Sequence, residues 1–72
     1  MKILECVPNF SEGRDRKKVE EVVGVVRKIS GVKLLDYSSD EDHNRSVVTF
    51  LGGPEAVEQA ALAMSLKALE LI

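Results

Sequence analysis

Tryptophan is absent from this 72-residue chain, and Phe10, Tyr37 and Phe50 are its only aromatics. A core must therefore come from valine, leucine, isoleucine and alanine, which demands close aliphatic packing rather than a few large rings. The single cysteine, Cys6, excludes an internal disulfide and with it a small disulfide-stapled secreted scaffold. It fits a reducing cytosol, so a cytoplasmic location is expected. No apolar run reaches the roughly 18 residues of a membrane span and no signal-like leader opens the chain, so neither a membrane nor a secreted role is expected. An excess of one charge is also missing. Ten Lys and Arg against twelve Asp and Glu leave a net charge of −2, with the signs interspersed. Without a broad cationic face, nucleic acid is not an expected partner.

A chain this short forms one domain, expected over 1–72, and buries only about 60% of the surface that it exposes when unfolded. Residues 2–7 (KILECV) read as a first strand that stops at Pro8, which has no amide hydrogen to donate. Asp15 is the expected N-cap of a helix whose apolar stripe is Val19, Val22, Val23, Val26 and Ile29. Ser30-Gly31 closes that helix, and Val32 to Tyr37 is the second strand. Ser46 to Leu51 is the third. Gly52-Gly53-Pro54 then turns the chain into a last helix, from about Glu55 to the end. This helix has two apolar faces. Val57, Ala60, Ala61, Met64, Ala68 and Leu71 form one stripe, and Leu62, Leu66 and Leu69 lie opposite.

The order βαββα is that of a ferredoxin-like split βαβ fold with its final strand missing: α+β, an antiparallel sheet with two helices on one face. Right-handed crossover makes the first two strands parallel, with the third antiparallel between them. Residues 8–15 and 38–45 then emerge at one end of the sheet. The first strand is an unpaired edge there. A homo-oligomer or a complementing chain is therefore expected through strand 2–7 and the outer face of helix 55–72.

The first loop carries Asn9, Ser11, Glu12, Gly13 and Arg14 ahead of a helix N-terminus, a setting that suits an anion or serves simply as a capped helix entry. The second, SSDEDHNR, is longer than a hairpin needs. Arg14 and Arg45 are suited either to clasp a dicarboxylate or to hold a loop carboxylate such as Glu12 or Asp40. His43, the lone histidine, has the chemistry of a general base or ligand but equally that of a solvated loop residue. The adjacent acids lack the spacing and glycine of a calcium loop, and no metal is expected.

ECVPNFSEGRD, followed by LLDYSSDEDHNRSVVTFLGGPEAV, resembles the N-terminal subdomain of glutamate formimidoyltransferases over nearly the whole chain. These folate-dependent formiminotransferases occur alone or fused to a cyclodeaminase. The resemblance implies transfer of a formimino group from N-formimino-L-glutamate to the co-substrate tetrahydrofolate, in one-carbon metabolism and histidine degradation. Folate would bind between this subdomain and a second one. By the same resemblance Asn9, Ser11, Glu12, Gly13, Arg14, Asn44 and Arg45 are substrate- or folate-binding. Ser38 stands where some members carry an active-site aspartate, and His43 matches a variable position. Members continue into a His-Lys-Gly-Glu-His-Pro-Arg segment with the catalytic histidine and then a fourth strand. No catalytic residue is therefore expected in these 72, which read as an incomplete half-cleft, inactive alone. The alternative is a stand-alone module that binds folate or a carboxylate without catalysis. A nucleic-acid platform of the same strand order would need stacking aromatics on its first and third strands, where only Phe50 is found.

Overall fold

In order along the chain, β1 (Leu4–Cys6), β2 (Asn9–Phe10), α1 (Arg16–Arg27), β3 (Val32–Asp40), β4 (Arg45–Gly52) and α2 (Pro54–Leu71) make up the protein. They are seen in a computed structural model that describes residues 2–72. Met1, the first residue of the expected domain, lies outside them. β4 is the central strand. β3 pairs along one side of it, β1 and β2 share the other, and every pairing is antiparallel. Both helices pack on one face, as a ferredoxin-like α+β arrangement requires.

β1 and β2 are the two halves of a single edge. Cys6 faces Phe50 and Asn9 faces Val47, so the register runs unbroken from one to the other. Pro8 interrupts the ladder because it has no N–H, yet its carbonyl still accepts from Val48 N at 3.0 Å. The edge therefore extends to Phe10, three residues past the expected strand end at Val7. β3 is likewise longer than expected and reaches Asp40. The cross-strand pairs Ser39 with Ser46 and Asp40 with Arg45 carry it on. Half of the polar run 38–45 is thus strand, and the hairpin loop proper is 41–44.

Alternation along β4 sets the two faces of the sheet. Ser46, Val48, Phe50 and Gly52 are buried beneath the helices, while Arg45, Val47, Thr49 and Leu51 point the other way. β3 keeps step with this only through a bulge. Leu34 lies opposite Phe50, Leu35 is extra, and Asp36 lies opposite Thr49. One inserted residue reverses the parity of everything after it. Leu34 and Tyr37 therefore both face the helices, Leu35 is left exposed, and Asp36 and Ser38 turn to the open face.

The core uses the expected helix stripes but not the expected composition: among the described residues no leucine or isoleucine is buried, and the rings of Phe10 and Phe50 are. Val19, Val22, Val23 and Val26 of α1 meet Val57, Ala60 and Met64 of α2 over Val48 and Phe50. Valine is a poor helix former, so α1 depends on this burial and on its cap. There the Asp15 carboxylate accepts from the backbone N–H groups of Lys17 and Lys18. On α2 the second stripe is bare: Leu62 is 61% exposed, Leu66 59% and Leu69 80%. No helix among the described residues is long and apolar enough to cross a membrane.

Candidate functional site

The two polar segments meet at one end of the sheet, tied by three hydrogen bonds. Gly13 N donates to Asn44 Oδ1 at 2.9 Å, and Arg14 Nε donates to the Glu41 carbonyl at 2.9 Å. The buried Ser46 hydroxyl donates to the Glu12 carbonyl and lies 2.9 Å from the Ser39 hydroxyl. Asn44 has φ 51°, a left-handed conformation that asparagine tolerates better than most residues. It therefore both turns the hairpin and receives the loop. Gly13 is pressed against backbone. A Cβ there would sit 2.6 Å from the Asp40 carbonyl oxygen and 2.7 Å from both Arg45 N and O.

Glu12 folds back onto its own loop, where its carboxylate accepts from the backbone N–H groups of Asp15 and Arg14. Those two bonds, Asp15 first, hold its pKa below the ordinary value. A group whose folded pKa is depressed stabilises the fold above its unfolded value, about 4.3, and that contribution fades as pH falls through the folded pKa. Glu12→Gln should accordingly flatten the acid limb of the stability curve, as thermal unfolding of both proteins between about pH 3 and 7 would measure. Equal slopes would show that this loop carries no such linkage.

The hairpin tip has its own local order. Asp40 lies 2.6 Å from His43 Nδ1 and accepts from the backbone N–H groups of Asp42 and His43. The His43 side chain, followed by its backbone amide, lowers the Asp40 pKa. His43 is 72% exposed, so this contact shapes a turn at the surface. Among the described residues, no group of three or more His, Cys, Asp or Glu side chains gathers as ion ligands.

The seven candidate residues divide between structural and open positions. Glu12, Gly13 and Asn44 are spent on joining the two segments. Arg14 lines a polar groove of about 330 Å³ on the helix side, together with Arg16, Glu20 and Tyr37. In that groove the Tyr37 hydroxyl donates to Glu20 at 2.6 Å, which raises the tyrosine pKa. Ser11 borders a different, apolar groove of about 380 Å³ beside Met64, Ala68 and Ile72, where the end of α2 reaches the edge strand. Arg45 belongs to the open-face register of β4, so the expected pairing of Arg14 with Arg45 does not form: the two lie on opposite faces of the sheet. Neither makes an ion pair with Glu12 or Asp40 among the described residues. Asn9 and Ser38 flank Val47 in register, which puts their side chains on the open face with Arg45, while each residue also borders a helix-side groove, Asn9 the one beside α2 and Ser38 the one beside Arg14. That face carries an amide, a hydroxyl and a guanidinium close together at the end where the loops converge.

Residues 3–72 match the family model described as the formiminotransferase domain, N-terminal subdomain. The chain belongs to that family. Relatives of this formiminotransferase subdomain include the glutamate formimidoyltransferase of Streptococcus pyogenes serotype M1, 48% identical over 63 residues, which are 88% of this chain and 21% of that protein. The Thermoplasma acidophilum protein of the same name is 44% identical over the whole chain and 24% of its own length. The formimidoyltransferase-cyclodeaminase of Gallus gallus is 44% identical over 99% of this chain and 13% of its own. The subdomain thus spans a quarter or less of the length of these relatives.

Ser46, whose buried hydroxyl ties the first loop to the hairpin, is disguised in sequence as the first residue of an ordinary strand. The signal was available in the alternation. With Arg45, Val47 and Thr49 on one face, Ser46 must stand in line with Val48 and Phe50, where an unbonded hydroxyl would be costly. A polar residue at a core position is the cue to look for its partner.

Proposed function

We propose that this chain is the N-terminal half of a folate-dependent formiminotransferase cleft, with the open sheet face as its binding surface. In this reading Asn9 and Arg45, with Ser38 beside them, meet the substrates N-formimino-L-glutamate and tetrahydrofolate. The observation that carries it is the shared exposure of Asn9 and Arg45 on the one sheet face that no helix covers, in a chain whose family transfers formimino groups. A guanidinium there suits a substrate carboxylate through paired N–H donors, and the Asn9 amide both donates and accepts. Arg14 and Ser11 extend the rim on the two sides of the loop. Glu12, Gly13 and Asn44 serve the cleft by holding its shape.

The acid/base step is assigned to no residue of this chain, so the subdomain alone is proposed to be inactive and to act in the cytoplasm. The proposed partner surface is the bare edge, where Ile3 is 55% and Val7 51% exposed, together with the leucine face of α2. A second copy or a complementing chain would cover both.

The test is complementation. Mixed with the remainder of the Streptococcus pyogenes enzyme, the chain should restore formimino transfer from formiminoglutamate to tetrahydrofolate, and Arg45→Ala should lower it at least tenfold. Turnover by the isolated chain, or failure of the mixture while each part is folded, would overturn the assignment.

A further inference from the structure

The residue presented to ligand and the residues that hold it are distinct here, and they sit on opposite faces of one strand. Arg45 makes no hydrogen bond or ion pair through its guanidinium among the described residues, while its backbone is confined on several sides. Gly13 packs against its N and O. Asn44, immediately before it, receives the Gly13 amide. Ser46, immediately after it, is fully buried and bonded to the Glu12 carbonyl and the Ser39 hydroxyl. Ser46 is the only buried polar or charged side chain among the described residues. A hydroxyl in an aliphatic core stabilises little in itself and is costly if left unbonded, so its place calls for a role beyond packing.

Resting on the cleft assignment above, we infer that Ser46 is a positioning residue: its buried hydroxyl locks the residue 11–15 loop to the hairpin and thereby fixes the backbone from which Arg45 reaches its ligand. The physical reason is the two-residue period of the strand. Pinning Ser46 from the helix side fixes the pleat at that point, and with it the direction in which Arg45 leaves the other side. The loop alone could not do this through Arg14, whose bond to the Glu41 carbonyl reaches only the exposed hairpin tip.

The 72-residue chain can be tested by NMR relaxation with three variants, Ser46→Ala, Ser46→Thr and Val48→Ala. Val48→Ala is the control for lost stability, because it opens the same buried face one pair further along. Ser46→Ala should lower the backbone order parameter of Arg45 from the rigid range near 0.85 toward 0.6 and speed exchange of the Gly13 amide. Val48→Ala should do neither at equal loss of thermal stability, and Ser46→Thr, which keeps a hydroxyl, should retain the ordered state. With tetrahydrofolate as probe, Ser46→Ala should bind about tenfold more weakly and Val48→Ala should not. An Arg45 backbone equally ordered in Ser46→Ala, or equally loosened by Val48→Ala, would overturn the positioning role. If the parent chain showed no tetrahydrofolate response, binding would require the other half of the cleft, complementation would remain the test of that assignment, and the order parameters would still decide what Ser46 does.

Discussion

Replacing Gly13 with alanine should destabilise the protein by about 3 kcal/mol or more, a loss that overpacking and broken hydrogen bonds reach together. The added methyl would lie within 2.7 Å of three atoms, the Asp40 carbonyl oxygen and Arg45 N and O. All three are backbone atoms of paired strands and cannot rotate aside as a side chain would. The loop must then retreat, which breaks the Gly13 to Asn44 bond and strains those from Ser46 and Arg14. No unusual dihedral is involved at Gly13, so every side chain should fail there for the same steric reason. For a domain of this size each 1 kcal/mol is about 4–8 °C in Tm, so the expected fall exceeds about 12 °C. Urea denaturation measures it directly. A midpoint matching that of the parent, with the Gly13 amide still protected from exchange, would show that the loop tolerates the methyl group and is not clamped.

This steric role changes how the SEGR run is understood. Read as sequence, Asn9 to Arg14 looked like a single lip of five ligand-binding residues. In the fold that lip is divided by function, and the division follows from tertiary contacts that no local pattern encodes. The closeness of Gly13 to Arg45 joins residues far apart in the chain. Arg14 and Arg45 looked like a pair because both polar segments end at one rim, and that convergence is real. The face of Arg45 follows from the alternation of β4, but Arg14 lies off the strands, in the loop before α1, and only the fold places it on the helix side; the bulge at Leu35 hid instead the faces of Tyr37 and Ser38. A regular β3 would have sent Tyr37 to the open face with Asp36 toward the helices. What was legible is what depends on period and punctuation. The valine stripe of α1, the two unlike faces of α2, the Asp15 cap and the strand end at Gly52-Gly53-Pro54 all follow from spacing or from one residue with a special backbone. The length of β3 was missed because SSD carries no apolar alternation. Its pairing comes from the partner strand and from one hydroxyl pair, Ser39 with Ser46.

The same scarcity of aromatics that shapes the composition makes Phe50 the most consequential side chain in the core. It is fully buried, is the largest such residue, and lies opposite both Cys6 and Leu34 at the centre of the sheet. Phe50→Ala should cost about 3–5 kcal/mol, the transfer loss plus the cavity left behind. A chain of this length holds only on the order of 4–11 kcal/mol in total, so the variant should be near its unfolding midpoint at moderate temperature. Phe50→Leu, which keeps most of the volume, should lose less than half as much. The ratio of the two losses, read from denaturant midpoints at constant slope, distinguishes explanations. If β4 is held mainly by its backbone pairing on both sides, alanine and leucine should differ little. If aliphatic packing over one ring holds the helices to the sheet, the two should diverge sharply, and the alanine variant should expose α1 first. Its valines have little intrinsic reason to stay helical once the ring beneath them is gone.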